Sequence, residues 1–118
     1  MGPEAEYRAQ LAAGKFMIQR GVTSGQCFFP PRTHEPATGD AVEWIEAGGC
    51  GSVYALTIAR KRAPESDYTI VVVELAEGPR LMSRIDGTAP DDVRIGMAVQ
   101  ARIITENDAP LLVFEAAA

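Results

Sequence analysis

The sequence predicts a mainly β protein: an N-terminal helix and a metal-free ribbon remnant, then a five-stranded barrel of the OB type. Three observations carry this. From Gly48 onward, β-branched runs alternate with tight-turn signals. Before them, residues 21–40 hold two turn-like clusters around the run Phe28-Phe29-Pro30-Pro31, which is the outline of a small metal ribbon. Ahead of both lies a segment of strong helix formers. The units are placed at 1–45 for helix and ribbon and 46–118 for the barrel.

Glu4 to Ala13 is rich in Ala, Glu, Arg and Gln, and Gly14 follows as a C-terminal stop. Tyr7 and Leu11 stand at i and i+4 and share one face. A helix this short is marginal alone, so it is expected to dock on a core. Lys15 to Arg20 is expected as a strand leading into the ribbon. Pro30-Pro31 excludes helix and holds the chain extended. Val42 to Ile45 resumes a strand, with Trp44 expected to anchor ribbon to barrel.

The expected barrel strands are Ser52–Ala59, Tyr68–Leu75, Arg80–Ile85, Met97–Thr105 and Leu111–Glu115. Glu77-Gly78-Pro79 is a tight turn, and Asn107-Asp108 joins the last two strands. Thr88 to Val93 reads as a helical turn with Thr88 capping toward Asp91. The run Gly49-Cys50-Gly51-Ser52-Val53-Tyr54 begins like a dinucleotide fingerprint. It lacks the final glycine and leads into a strand, so it is read as a flexible approach to the first barrel strand. Five strands suit an OB-fold, with an SH3-like barrel as rival. The helical turn between the third and fourth strands favours the OB-fold.

At 118 residues, with 47% hydrophobic and 23% charged content, the chain suits one compact domain. Its net charge of -5 is the wrong sign for a free nucleic-acid binder. An OB-fold binding single-stranded nucleic acid is the alternative reading; it would need aromatic platforms on a basic face, and aromatic content is only 7%. The start Met-Gly-Pro-Glu-Ala-Glu has no secretory pattern, and no apolar run approaches the ~20 residues of a membrane helix. The expected compartment is therefore the cytoplasm, with no membrane partner and with Cys27 and Cys50 as reduced thiols.

Helix, strand, ribbon and barrel follow in an order that closely resembles a known family. Its most specific pieces are Phe29-Pro30-Pro31-Arg32, the run Val73 to Arg80 (Val-Glu-Leu-Ala-Glu-Gly-Pro-Arg), and the run Asp91 to Met97 (Asp-Asp-Val-Arg-Ile-Gly-Met). The chain resembles, from about Tyr7 to about Phe114, the acyl-CoA-associated OB-fold proteins with a rubredoxin-like zinc ribbon, domain of unknown function thirty-five. The resemblance implies an accessory subunit without catalytic residues of its own. Its partner would be a thiolase-like enzyme or a MaoC-type enoyl-CoA hydratase, and its ligand an acyl-CoA or CoA. Self-association is left open.

Aligned on the family pattern, the four zinc-binding cysteines fall on Gly21, Ser24, Glu35 and Thr38. Glycine supplies no ligand, and neutral hydroxyls are poor ones, so no zinc is expected. Packing of Phe28, Phe29 and Trp44, or a partner surface, must then order the loop. The second is favoured, with Phe28, Phe29, Pro30 and Pro31 as the docking surface, because exposed aromatic segments are typical of interfaces.

The run Arg60-Lys61-Arg62, ahead of the loop 63–67, suits the phosphates of CoA, since clustered cations match a polyanion. Arg32 and Arg80 are weaker candidates on the same logic. The competing reading is a solvated loop. Cys27 with His34 suggests a nucleophile and base, and hence a small stand-alone acyl-CoA enzyme. Nothing in the sequence orients the histidine, so a buried thiol and a loop histidine are the preferred reading. Asp86, Asp91 and Asp92 lack the spacing of a calcium loop.

Overall fold

The computed structural model describes residues 2–36, 38–62 and 66–117. Residues 63–65 of the expected basic-loop approach therefore lie outside the described residues. Helix α1 spans Pro3–Ala12. Proline near its start matches the helical φ, and Gly14 follows its end at φ +84°. Leu11 is buried, and Tyr7 packs on the same core edge-to-face with Phe29, ring centres 5.4 Å apart.

The ribbon is a three-stranded antiparallel sheet of β1 (Met17–Gly21), β2 (Cys27–Phe28) and β3 (Val42–Glu46), in the order β2-β1-β3. Trp44 does not bridge ribbon and barrel. Its Nε1 donates to Glu6 Oε2 at 2.9 Å and so fastens α1 to β3. Indole has one donor to satisfy, and the helix carboxylate reaches it first.

The barrel is built from β4 (Cys50–Ala59), β5 (Tyr68–Leu75), β6 (Arg80–Ser83), β7 (Ile85–Asp86), β8 (Ala98–Glu106) and β9 (Ala109–Ala116), in the order β6-β5-β4-β8-β9-β7. The expected third strand is real but divided at Arg84, which is why six strands stand where five were expected. Its first half pairs antiparallel with β5, and its second half pairs parallel with β9 through Ile85↔Phe114. That handover closes the sheet in the OB manner. Thr69, 1% exposed, makes it possible: its Oγ1 accepts the Ile85 N–H at 2.8 Å after β7 has left β5. Across the same seam Ser83 Oγ donates to the Leu112 carbonyl at 3.0 Å.

Local chemistry explains the turns. Asn107 and Asp108 both take positive φ, +53° and +62°, as a two-residue hairpin between β8 and β9 requires. The approach to β4 is tight rather than flexible. A Cβ on Gly51 would lie 2.7 Å from the Glu74 carbonyl oxygen, and one on Gly49 2.6 Å from Gln100 Nε2. The helical turn is a 3-10 turn, Pro90–Asp92, capped by Ala89 with no side-chain bond, so Thr88 is not its cap.

Alternation along β5 buries Thr69, Val71, Val73 and Leu75 and turns Tyr68 and Ile70 outward. One core cluster joins Val71, Val73 and Leu75 to Leu11, Phe16 and Ile18 of the N-terminal part. The N-terminal elements therefore pack on the barrel core instead of forming a separate one. No described helix is long and apolar enough to cross a membrane.

Two measurements follow from this packing. Thr69→Val should orphan the buried Ile85 N–H and cost about 1–3 kcal/mol in chemical denaturation, while Thr69→Ser keeps the bond. Burial raises the Tyr7 phenol from 10.0 to about 12. The unfolded chain therefore ionises first, and stability present below pH 10 should fall between pH 10 and about 12. Tyr7→Phe should flatten that decline in a pH series of unfolding curves.

Candidate functional site

Three regions carry chemistry. The first is a groove of about 210 Å³ where α1, the ribbon and the barrel seam meet. Tyr7 of α1, Phe29, Leu81 and Met82 of β6, and Leu111 of β9 are among the residues that line it. Phe28 and Phe29 are half-buried, and Phe29 packs against the core, whereas Pro30 is exposed. The Phe29–Pro30 peptide is cis. The most exposed apolar side chain of the groove is Met82, at 71%, with Leu111 at 37%. The strand pattern alone would place Met82 in the core and takes Leu111 only as the start of the last strand; the structure turns Met82 to solvent, because alternation does not say which strand of a closed barrel lies at its seam.

The second region is the outer face of β4, β5 and β6. Tyr54, Tyr68 and Ile70 are exposed there beside Met82. Tyr54 sits at a bulge, where the register with β5 shifts between Val53 and Ala55. A cation covers each tyrosine: Arg80 Cζ lies 3.8 Å from the Tyr54 ring centre, and Lys61 Nζ lies 5.6 Å from that of Tyr68.

The sequence-predicted cations are not brought together. Arg60 and Lys61 follow the end of β4, opposite Tyr68, while Arg80 pairs in register with Glu74. Six residue steps along β5, from Tyr68 to Glu74, separate those ends, about 20 Å at the rise of a strand. Arg32 lies on the ribbon, lining a depression with Glu6 and Trp44. Its main-chain N–H is held by Gln19 Oε1 at 2.6 Å.

Their charges differ as much as their places. Arg60 bridges Asp67 at 2.9 Å and Asp91 at 2.7 Å, and these partners raise its pKa. Asp67 is lowered first by the Lys61 N–H and then by Arg60, and Asp91 is lowered by Arg60. Arg60 thus acts as a clamp on its own loop. Arg80 is similarly paired with Glu74 at 2.9 Å. Among the described residues the ion pairs use Arg8, Arg20, Arg60, Arg80, Arg84 and Arg102, so that of the sequence-predicted cations Lys61, Arg62 and Arg32 take part in none of them.

Cys27 and His34 do not form a dyad. His34 is exposed, with Nδ1 3.4 Å from Thr33 Oγ1, whereas the charges acting on Cys27 come from Arg20 and Glu77. Burial is the largest effect and raises the Cys27 thiol; Arg20 lowers it and Glu77 raises it further. A nucleophilic thiol needs the opposite shift.

The third region is the pair of ribbon turns. Gly21, Ser24, Glu35 and Thr38 do meet in space. Ser24 Oγ donates to Glu35 Oε2 at 2.8 Å, and Thr38 Oγ1 donates to the same atom at 2.9 Å. Glu35 is 3% exposed. A Cβ on Gly21 would collide with Glu35 Oε2 and Ser24 Oγ. This set does not fit zinc: one carboxylate and two hydroxyls are not the nitrogen and sulfur ligands of a structural site, and the fourth position has no side chain. No group of three or more His, Cys, Asp or Glu among the described residues is arranged to hold a metal ion. Within the chain, Glu35 and Gln19 bond across this loop.

A family model described as the C-terminal OB-fold domain of ChsH2 matches residues 44–103. A probable enoyl-CoA hydratase alpha subunit of Thermomonospora curvata is 37% identical over 90 residues, 72% of this chain and 28% of that protein. A DUF35 domain-containing scaffold protein of Methanocaldococcus jannaschii is 35% identical over 86 residues, 65% of this chain and 59% of that protein. The chain thus spans 28% and 59% of the lengths of these two relatives. Among solved structures, the Ltp2-ChsH2(DUF35) aldolase superposes with a TM-score of 0.87 at 30% identity, over 98% of this chain and 95% of that one. A DUF35 protein of unknown function from Sulfolobus solfataricus shares the fold, with a TM-score of 0.68 at 17% identity over 96% of this chain and 84% of that one.

The thiols offer a direct check. Exposed Cys50 should be alkylated by iodoacetamide before Cys27. The labelling rate of Cys27 should rise at higher pH in the folded protein than in the denatured one, since its folded thiol is raised. Fast labelling of Cys27 at neutral pH would instead mark an activated thiolate.

Proposed function

The chain belongs to the DUF35 family of OB-fold proteins, and from that premise we propose that it is a non-catalytic accessory subunit of an acyl-CoA enzyme. It docks on a thiolase-like or MaoC-type hydratase partner in the cytoplasm and helps seat the acyl-CoA. The observation that carries this reading is the likeness, over 98% of the chain, to a DUF35 protein described together with Ltp2 as an aldolase. The relative described as a hydratase alpha subunit and the one described as a scaffold point the same way. The raised Cys27 thiol and the solvent-facing His34 support a role without chemistry of its own.

The docking surface is the groove lined by Phe29, Met82 and Leu111, extended by Phe28, Pro30 and Pro31, which flank Phe29 along the chain. Apolar side chains exposed on a strand at the barrel seam favour a protein partner. The acyl-CoA phosphates are met by Lys61 and Arg62, with Arg32 nearer the ribbon. Arg60 and Arg80 support them indirectly, the first by shaping its loop and the second by covering Tyr54.

The single-stranded nucleic-acid reading has one observation in its favour, the two cation-covered tyrosines on the outer sheet face. The net charge of -5 opposes it.

Co-expression with thiolase-like and MaoC-type proteins of the same organism should yield a stable co-eluting complex. Met82→Glu should weaken that complex at least tenfold without lowering the unfolding midpoint of the isolated chain. Lys61→Glu with Arg62→Glu should leave the complex intact and raise the KM for acyl-CoA on the order of tenfold or more, the loss expected for charge-assisted contacts worth about 1.5–3 kcal/mol. Full partner activity without this chain on every acyl-CoA tried would overturn the accessory role. A salt-dependent gel shift with oligonucleotides would favour the alternative.

A further inference from the structure

The two ribbon turns repeat each other bond for bond. In the first, Gly21 N–H donates to the Gln26 carbonyl at 3.0 Å, and Gly25 N–H to the Gly21 carbonyl at 2.9 Å. In the second, Glu35 N–H donates to the Asp40 carbonyl at 2.9 Å, and Gly39 N–H to the Glu35 carbonyl at 2.8 Å. Gly25 and Gly39 take nearly the same positive φ, +72° and +73°. The hydroxyl before each glycine also plays the same part. Ser24 Oγ accepts the Gln26 N–H at 3.1 Å, and Thr38 Oγ1 accepts the Asp40 N–H at 3.2 Å.

The repeat breaks at one pair of equivalent positions. The first turn begins with Gly21 and the second with Glu35. The Glu35 side chain occupies the space that any side chain on Gly21 would need, with Cδ only 2.9 Å from the position of a Gly21 Cβ. Three positions on two turns therefore converge on one atom, Glu35 Oε2: Ser24 and Thr38 by donating hydroxyls, and Gly21 by the direction of its missing Cβ. Convergence of four positions from two matched turns is the geometry a tetrahedral metal requires. Here the carboxylate oxygen stands at the point of convergence.

We propose that Glu35 replaces the metal as the crosslink between the two turns, and that Gly21 is glycine because the carboxylate fills its side-chain space. Each hydroxyl serves as a relay, accepting from its own turn's backbone and donating to the shared oxygen. The ribbon then folds without metal, and two positions, 21 and 35, are coupled through space although they lie on different turns.

A double-variant cycle tests this in the full chain. Gly21→Ala alone should lower the denaturation midpoint, because its methyl meets the carboxylate. Glu35→Ala alone should also lower it and speed hydrogen exchange of the Gly25 and Gly39 amides at least tenfold. In the Glu35→Ala background, Ser24 loses its acceptor and can turn away, so Gly21→Ala should cost much less than in the parent. Equal cost in both backgrounds overturns the proposal, as does an unchanged exchange rate in Glu35→Ala.

Metal binding supplies an independent readout. The parent protein, purified without chelator, should carry no stoichiometric zinc and should keep its midpoint in EDTA. The variant with cysteine at positions 21, 24, 35 and 38 should take up one Co(II) with thiolate charge-transfer absorption. Stoichiometric zinc in the parent overturns the proposal. Failure of the four-cysteine variant to bind Co(II) in a folded ribbon counts against the convergence of the four positions.

Discussion

Barrel closure rests on the run Arg80–Asp86, which must bond to two different strands. Its first half belongs to β5 and its second to β9, and the backbone group freed at the handover is buried. A buried N–H without a partner costs about as much as many whole interactions contribute. Thr69 meets that requirement with a hydroxyl placed among Val71, Val73 and Leu75, where another valine would pack equally well. Arg84 completes the switch on the outside, pairing with Asp86 and Glu106, each at 2.8 Å. The seam that this handover leaves between β6 and β9 is also where α1 and Phe29 dock, so closure positions the groove with Met82 at its rim.

The ribbon depends on that same packing. Two hydrogen bonds to a carboxylate contribute about 1.5–3 kcal/mol each. A structural zinc in an isolated ribbon peptide contributes on the order of ten or more. The carboxylate crosslink is therefore weaker than the metal whose geometry it shares. Beyond the crosslink, Phe16 and Ile18 are buried in the same core cluster as the barrel, and the Trp44–Glu6 bond ties the helix to β3. The ribbon does not rely on its own turns alone, since its buried residues share one core cluster with the barrel. Gln19, 2% exposed, adds a second internal strut by holding the Arg32 N–H.

These two constraints separate the functional surfaces. The seam presents an apolar groove suited to protein docking, while the far end of β4 presents Lys61 and Arg62 beside the Arg60 clamp. A run of three cations reads as one patch in the sequence. In the folded chain the first is paired with Asp67 and Asp91, two carboxylates distant from each other along the chain, while Lys61 and Arg62 form no ion pair among the described residues. Arg80 undergoes the same change through Glu74 and Tyr54. Long-range pairing, which no local pattern reports, decides which of these cations are held in ion pairs.

Periodicity and turn chemistry determined much of this protein. The β-branched run Tyr68–Leu75, the helix ending before Gly14, the Asn107-Asp108 hairpin and the barrel class were legible because each is set by residues close in sequence. The positions Gly21, Ser24, Glu35 and Thr38 were picked out by the family resemblance alone, and the match between the two turns emerged from their backbone hydrogen bonds. Only the tertiary structure decided what those four do together, that Trp44 belongs to the helix, that the third barrel strand divides at Arg84, and that Met82 stands at the seam. Each of these turns on which buried donor meets which acceptor across the fold, a choice made by close packing among residues far apart in sequence.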